Sequence, residues 1–124
     1  MIMADTSIWV DHLRRSNLRL ARFLDHGDVV MHPFVIGELA LGYVPRIAET
    51  LGELRRLPMV VVADTEEVLK FIAHRKLSGS GIGYVDAHLL AATALMQETF
   101  LWTSDKRLHT VAQSLSLAAE IQDQ

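Results

Sequence analysis

Short apolar runs alternate along the chain with stretches of helical spacing. Ile2-Met3-Ala4, Val29-Val30-Met31, Met59-Val60-Val61-Val62 and Phe100-Leu101-Trp102-Thr103 are too brief and too continuously apolar for amphipathic helices, so they predict buried strands. A fifth strand is expected near Ala118 to Ile121. Between these runs, Leu20-Phe23-Leu24, the stretch Phe34 to Leu41, Ile47-Leu51-Leu54 and Val68-Leu69-Ile72 carry apolar residues at helical intervals. Asp64-Thr65-Glu66-Glu67 places a cap acceptor three residues before a glutamate, the pattern of a capping box. Val85 to Met96 is apolar on nearly every side, which predicts the central helix, packed against both the sheet and other helices. Parallel neighbours need crossover connections, so the alternation predicts an α/β fold. Helices should cover both faces of a parallel sheet of four or five short strands.

Length and composition narrow this picture. The chain has 124 residues, half of them hydrophobic and only three of them proline, which predicts one globular domain over residues 1–124. A net charge of −3 excludes a surface that is cationic throughout, so any nucleic-acid contact must be local. The absence of cysteine excludes a disulfide framework, a thiolate metal site and a thiol nucleophile. No apolar run is long enough for a membrane span or a signal-peptide core, so a soluble, cytoplasmic protein is expected. The glycines of Ser78-Gly79-Ser80-Gly81-Ile82-Gly83 match neither a dinucleotide fingerprint nor a P-loop and read as a turn or hinge.

The distinctive chemistry lies in four acids. Asp5 follows the first strand and Asp105 the fourth, so both are expected at the carboxyl edge of the sheet, where open α/β folds bind ligands. Glu38 has Phe34, Val35, Leu41 and Gly42 as its helical neighbours and is expected on an inward face. Asp86 opens the central helix, and its carboxylate is expected to point back past the helix start. Two such charges 4 Å apart repel by roughly 4 kcal/mol at an effective dielectric constant near 20, so a cation is needed among them. Carboxylate donors suit Mg2+ or Mn2+. The six histidines have no zinc-ligand spacing and read as surface or packing residues. Taken singly, Asp5, Asp86 and Asp105 also suit helix caps, and Glu38 can pair with a residue such as Arg46.

At these acids the chain resembles the PIN-domain ribonucleases, and among them the VapC-like toxins of bacterial toxin–antitoxin pairs. The resembling segments are Met3-Ala4-Asp5-Thr6-Ser7-Ile8-Trp9, Gly37-Glu38-Leu39-Ala40-Leu41-Gly42, Gly81-Ile82-Gly83-Tyr84-Val85-Asp86-Ala87-His88-Leu89-Leu90-Ala91-Ala92 and Leu101-Trp102-Thr103-Ser104-Asp105-Lys106-Arg107-Leu108. They recur in the family's order, while Ser104 stands where many relatives carry a larger polar or basic residue. The resemblance implies a PIN-like three-layer α/β/α domain in which Asp5, Glu38, Asp86 and Asp105 hold one or two divalent cations, with Thr103 and Thr6 as hydroxyl support. It also implies RNA cleavage leaving a 5′-phosphate and a 3′-hydroxyl, a cognate antitoxin and a homodimer.

Arg14, Arg15, Arg19 and Arg22 on the first helices, with Lys106 and Arg107 beside the last acid, are candidates for a phosphate track. Candidate interfaces lie in Ile47 to Leu57 and Leu69 to Lys76. Two other readings compete with a nuclease. A receiver-like phosphoacceptor module would use Asp64, but Ala4 stands where that module needs a second acid, and Asp64 is accounted for as a cap. A catalytically silent PIN-like protein would use the same groove only to bind a partner.

Overall fold

The computed structural model describes residues 1–121, so the last three residues of the domain expected over 1–124 lie outside the described residues. Ten elements run in order along the chain: β1 (Ile2–Ala4), α1 (Thr6–Arg15), α2 (Leu18–Asp25), β2 (Val29–Val30), α3 (Pro33–Leu41), α4 (Ile47–Leu54), α5 (Thr65–His74), α6 (Tyr84–Leu95), β3 (Phe100–Trp102) and α7 (Lys106–Ser114). The sheet is parallel, with order β2-β1-β3 and Ala4 registered against Trp102. The β1 and β3 strands therefore end side by side, and the loops leaving them emerge at the same edge.

Among the described residues, the expected four or five strands are corrected to three strands with two bridged flanks. Met59 joins the sheet through a single bridge to Met31, and Ala118 through one to Leu101. In the Met59 run, Pro58 supplies only a carbonyl, to Met31, and Val60 N–H donates back to Met31, after which Val61 stands 85% exposed. One side of this segment reaches the core while the next residue turns to solvent, so the run of β-branched residues extends no ladder.

The α6 helix is central, as its sequence predicts. Ala87 through Thr93 are all buried, and Leu89 and Leu90 join Met3, Trp9, Leu20, Met31, Leu39 and Leu101 in the main core. Burying each large side chain of this kind contributes roughly 1.5–3 kcal/mol before entropy is counted. Asp64 and Glu67 form the expected capping box at the start of α5, at 2.8 and 2.9 Å. Among the described residues no helix is long and apolar enough to cross a membrane.

The α3 helix begins where β2 ends, and His32 caps it from inside the core. Its Nδ1 accepts the Phe34 N–H at 3.0 Å, so the neutral ring carries its proton on Nε2, which has no hydrogen-bond partner among the described residues. His32, Phe34, His88 and Tyr84 stack edge to face in sequence, with centroid separations of 4.9, 4.7 and 4.7 Å. Burial, and secondarily the neighbouring His88, push the His32 imidazole down to about 4. The unfolded chain therefore binds more protons than the folded one between about pH 6.5 and pH 4. The contribution of His32 to stability is complete above that window and is lost as pH falls through it, by roughly 3 kcal/mol in total. His32→Asn keeps a cap acceptor but does not titrate. Urea unfolding from pH 7 to pH 4.5 should show a smaller loss of stability for this variant than for the native chain, and parallel losses would contradict the assignment.

Candidate functional site

The register of β1 and β3 determines the first half of the site. Asp5 N–H donates to the Trp102 carbonyl at 2.9 Å, continuing the ladder by one residue and bringing the Asp5 side chain beside Thr103. Asp5 caps α1: Oδ1 accepts the Ser7 N–H at 3.0 Å, the Ile8 N–H at 3.4 Å and the Ser7 hydroxyl. Its Oδ2 accepts the Thr103 hydroxyl, and Thr103 Oγ1 in turn accepts the Asp105 N–H at 3.0 Å. Ser7 Oγ also accepts the Ser104 N–H at 3.1 Å. A buried carboxylate thus ties the start of α1 to the loop after β3. Burial pushes the Asp5 carboxyl up from its ordinary range, against the opposing effect of these donors.

Asp105 caps α7 by accepting the Leu108 N–H at 3.0 Å and remains exposed. Asp86 occupies the third position of α6, with Gly83 as the cap residue. It accepts the Gly83 N–H at 3.1 Å, so its carboxylate reaches back past the helix start. Burial, and then the charges of Asp105 and Glu38, push its carboxyl up. Asp86 and Asp105 line the same cleft. Capping and site membership are therefore compatible: a carboxylate that caps with one oxygen still presents lone pairs to a ligand.

Glu38 departs from the inward position expected for it. The core-facing residues of α3 are Val35 and Leu39, whereas Glu38 is exposed, and Leu41, on its own side of the helix, is 90% exposed. The α3 helix is apolar on both faces, so periodicity alone cannot orient it. Glu38 nevertheless reaches the site, because its Oε1 accepts the Thr6 hydroxyl at 2.6 Å, one residue after Asp5. Arg46 pairs with Glu49 instead.

Asp5, Glu38, Asp86 and Asp105, from four separate segments, border one end of the sheet. None of them is ion-paired to a described basic residue. Among the described residues, no three acidic or imidazole side chains stand close enough together to hold a metal ion as they are arranged. Each acid is tied to its own backbone or to a hydroxyl, leaving an open arrangement of hard oxygen donors. That donor chemistry fits Mg2+ or Mn2+, which retain several waters, better than a metal that needs a complete protein cage.

Two clefts flank the site. One, of about 380 Å³, includes Gly81, Asp86, Asp105 and Arg107. The other, of about 560 Å³, runs past Ser7, Thr103 and Ser104 to Arg14, Arg15 and Arg19, with Arg15 paired to Asp11 at 2.8 Å. Arg22 lies farther along the first helices, in a cleft with Arg19 and Asn17. Ser7, which the sequence marks only as a member of the first resembling segment, is a further site residue through its bond to the Ser104 amide; the Asp-Thr-Ser order after a strand is the signal that marks it.

Thr103→Val preserves the shape of the side chain while removing the partner of Asp5 Oδ2 and of the Asp105 N–H. It should destabilise the protein by about 1–3 kcal/mol in urea unfolding, and an unchanged midpoint would remove Thr103 from the network. Asp86→Asn keeps an acceptor for the Gly83 N–H but removes a charge disfavoured by its surroundings. In chelator at pH 7 it should raise Tm by a few degrees, and a fall in Tm would contradict the repulsion among these acids.

The PIN domain profile matches residues 2–114. Proteins named Ribonuclease VapC32, from two strains of Mycobacterium tuberculosis, are 41% identical to this chain over 123 residues, covering 98% of it and 99% of each relative. FitAcB from Neisseria gonorrhoeae superposes with a TM-score of 0.61 at 20% identity, covering 91% of this chain and 94% of that one. PAE2754 from Pyrobaculum aerophilum superposes with a TM-score of 0.58 at 16% identity, covering 92% and 90% respectively. These two structures support the fold; the nearly full-length match in sequence goes further. Domain profile, relatives and architecture agree that the chain belongs to the PIN-domain family.

Proposed function

We propose that this protein is a divalent-metal-dependent endoribonuclease of the VapC toxin type. The observation that carries the reading is the edge-of-sheet network of Asp5, Glu38, Asp86 and Asp105, which among the described residues has no basic partner. The nearly full-length similarity to proteins named Ribonuclease VapC32 supports the substrate class. It favours a nuclease over a phosphoacceptor module, and Asp64 is already engaged in the α5 capping box.

In this reading Asp5, Asp86 and Asp105 hold Mg2+ or Mn2+, with Glu38 at the open rim. Such a cation, when bound, makes a phosphodiester more electrophilic and lowers the pKa of water. Thr103 fixes the orientation of Asp5 and, through the Asp105 amide, the start of α7. Glu38, exposed and steadied by Thr6, would accept the proton of an attacking water. The backbone bonds of Asp86 and Asp105 hold both carboxylates in position before substrate arrives. Arg14 and Arg15, in the adjoining cleft, supply positive potential for the RNA backbone. Hydrolysis in this family's manner leaves a 5′-phosphate and a 3′-hydroxyl.

The partner implied by this function is a cognate antitoxin, and the assembly implied is a homodimer. Leu41 and Tyr43, 90% and 97% exposed at the end of α3, offer apolar surface for a protein partner. Leu69, half exposed on α5, lies in one of the segments expected to form the dimer interface.

The test is cleavage of mixed cellular RNA with Mg2+, with Mn2+ and with chelator, followed by mapping of fragment ends. The native protein should cut only with metal and leave 5′-phosphates. Asp5→Asn and Asp86→Asn should each lose at least about a hundredfold in rate. Mn2+ should raise the Tm of the native chain and have much less effect on Asp86→Asn. Equal cleavage by native and Asp86→Asn protein would overturn the reading.

A further inference from the structure

One wall of the 380 Å³ cleft is built around a glycine. Gly81 has φ +86°, and a β-carbon there would stand 2.6 Å from Cδ and 2.7 Å from Nη1 of Arg107. The Arg107 side chain thus occupies the space that any other residue at position 81 would fill, and the left-handed backbone would also be strained there. Asp86 and Asp105 border the same cleft, yet among the described residues no carboxylate pairs with the Arg107 guanidinium. An arginine beside two acids ordinarily folds onto them. Here the missing side chain at Gly81 leaves room for it at the rim, where among the described residues no carboxylate takes up its donors. A planar guanidinium binds phosphate oxygens in a forked geometry that an ammonium cannot reproduce.

We infer that Arg107, seated against Gly81, binds a phosphate group of the RNA chain at the edge of the acidic site. This rests on the ribonuclease reading and adds to it a substrate-binding residue and the glycine that positions it. The cation held by the acids and the guanidinium at the rim would grip the RNA backbone from two directions. The sequence feature responsible, Ser78 to Gly83, serves as more than a turn: its Gly81 admits the arginine.

The experiment uses the full chain with Mn2+ and an end-labelled RNA oligonucleotide that the native protein cuts. Arg107→Ala should lower kcat/KM roughly 10- to 100-fold, chiefly through KM. The Mn2+-induced rise in Tm should be unchanged. Arg107→Lys should recover only part of the loss, because it restores charge without the fork. Gly81→Ala should lower kcat/KM in the native background and have little further effect beside Arg107→Ala, since both changes remove the same contact. Arg46→Gln, at an exposed arginine before α4 that pairs with Glu49, serves as the control for general charge and should be silent. An Arg107→Ala enzyme with native kcat/KM, or an Arg46→Gln loss of equal size, would overturn the inference while Asp86→Asn remained inactive. Full activity in Asp86→Asn would instead remove the ribonuclease reading on which the inference stands.

Discussion

A carboxylate buried at the end of the middle strand is the constraint on which the site depends. Asp5 is 6% exposed, and such a group is tolerated only when its oxygens are matched by donors. The donors come from two directions: the first turn of α1, and Thr103 in the loop after β3. Satisfying one buried charge therefore fixes where α1 starts, where the β3 loop runs and, through the Asp105 amide, where α7 begins. The parallel register of β1 and β3 makes this possible, because Ala4 and Trp102 end level with each other.

Around this fixed point the other acids add charge without compensation. Asp86 arrives from α6 and Glu38 from α3. Among the described residues, the hydrogen bonds that hold the four acids come from amides and hydroxyls, not from arginine or lysine. Neutral donors position carboxylates but do not cancel their repulsion. The positive groups nearby stand apart, Arg107 against Gly81 and Arg14 in the second cleft. Under the proposed function this separation of signs would suit a polyanion approaching a cation: the acids would retain the metal, and the arginines would meet the phosphates that the acids alone would repel. The same separation makes the metal-free protein electrostatically strained at this edge, which links its stability to its function.

Much of this was legible in the residues, for identifiable reasons. The α6 helix announces its burial because it is apolar on every side, and α5 announces its start through Asp64 and Glu67. The positions of Asp5 and Asp105 are set by the strands that precede them. The Met59 run misleads because consecutive valines favour a strand, whereas the actual pairing depends on Pro58 and on whether an edge is available. Glu38 misleads for a different reason: on a helix apolar all round, tertiary packing and not periodicity chooses the inward face, here the Val35 and Leu39 side. The contact between Gly81 and Arg107 is invisible in sequence, since it depends on one positive φ angle and on two segments 26 positions apart in number being brought together.

The proposed function rests on a divalent cation completing this constellation of acids. Crystals grown with Mn2+ and measured at a wavelength where manganese scatters anomalously test it directly. An anomalous peak at the carboxyl edge of the sheet, within coordinating distance of oxygens of Asp5, Asp86 and Asp105, is the expected result. A peak elsewhere, or none at saturating Mn2+ with these carboxylates well ordered and unligated, would contradict it.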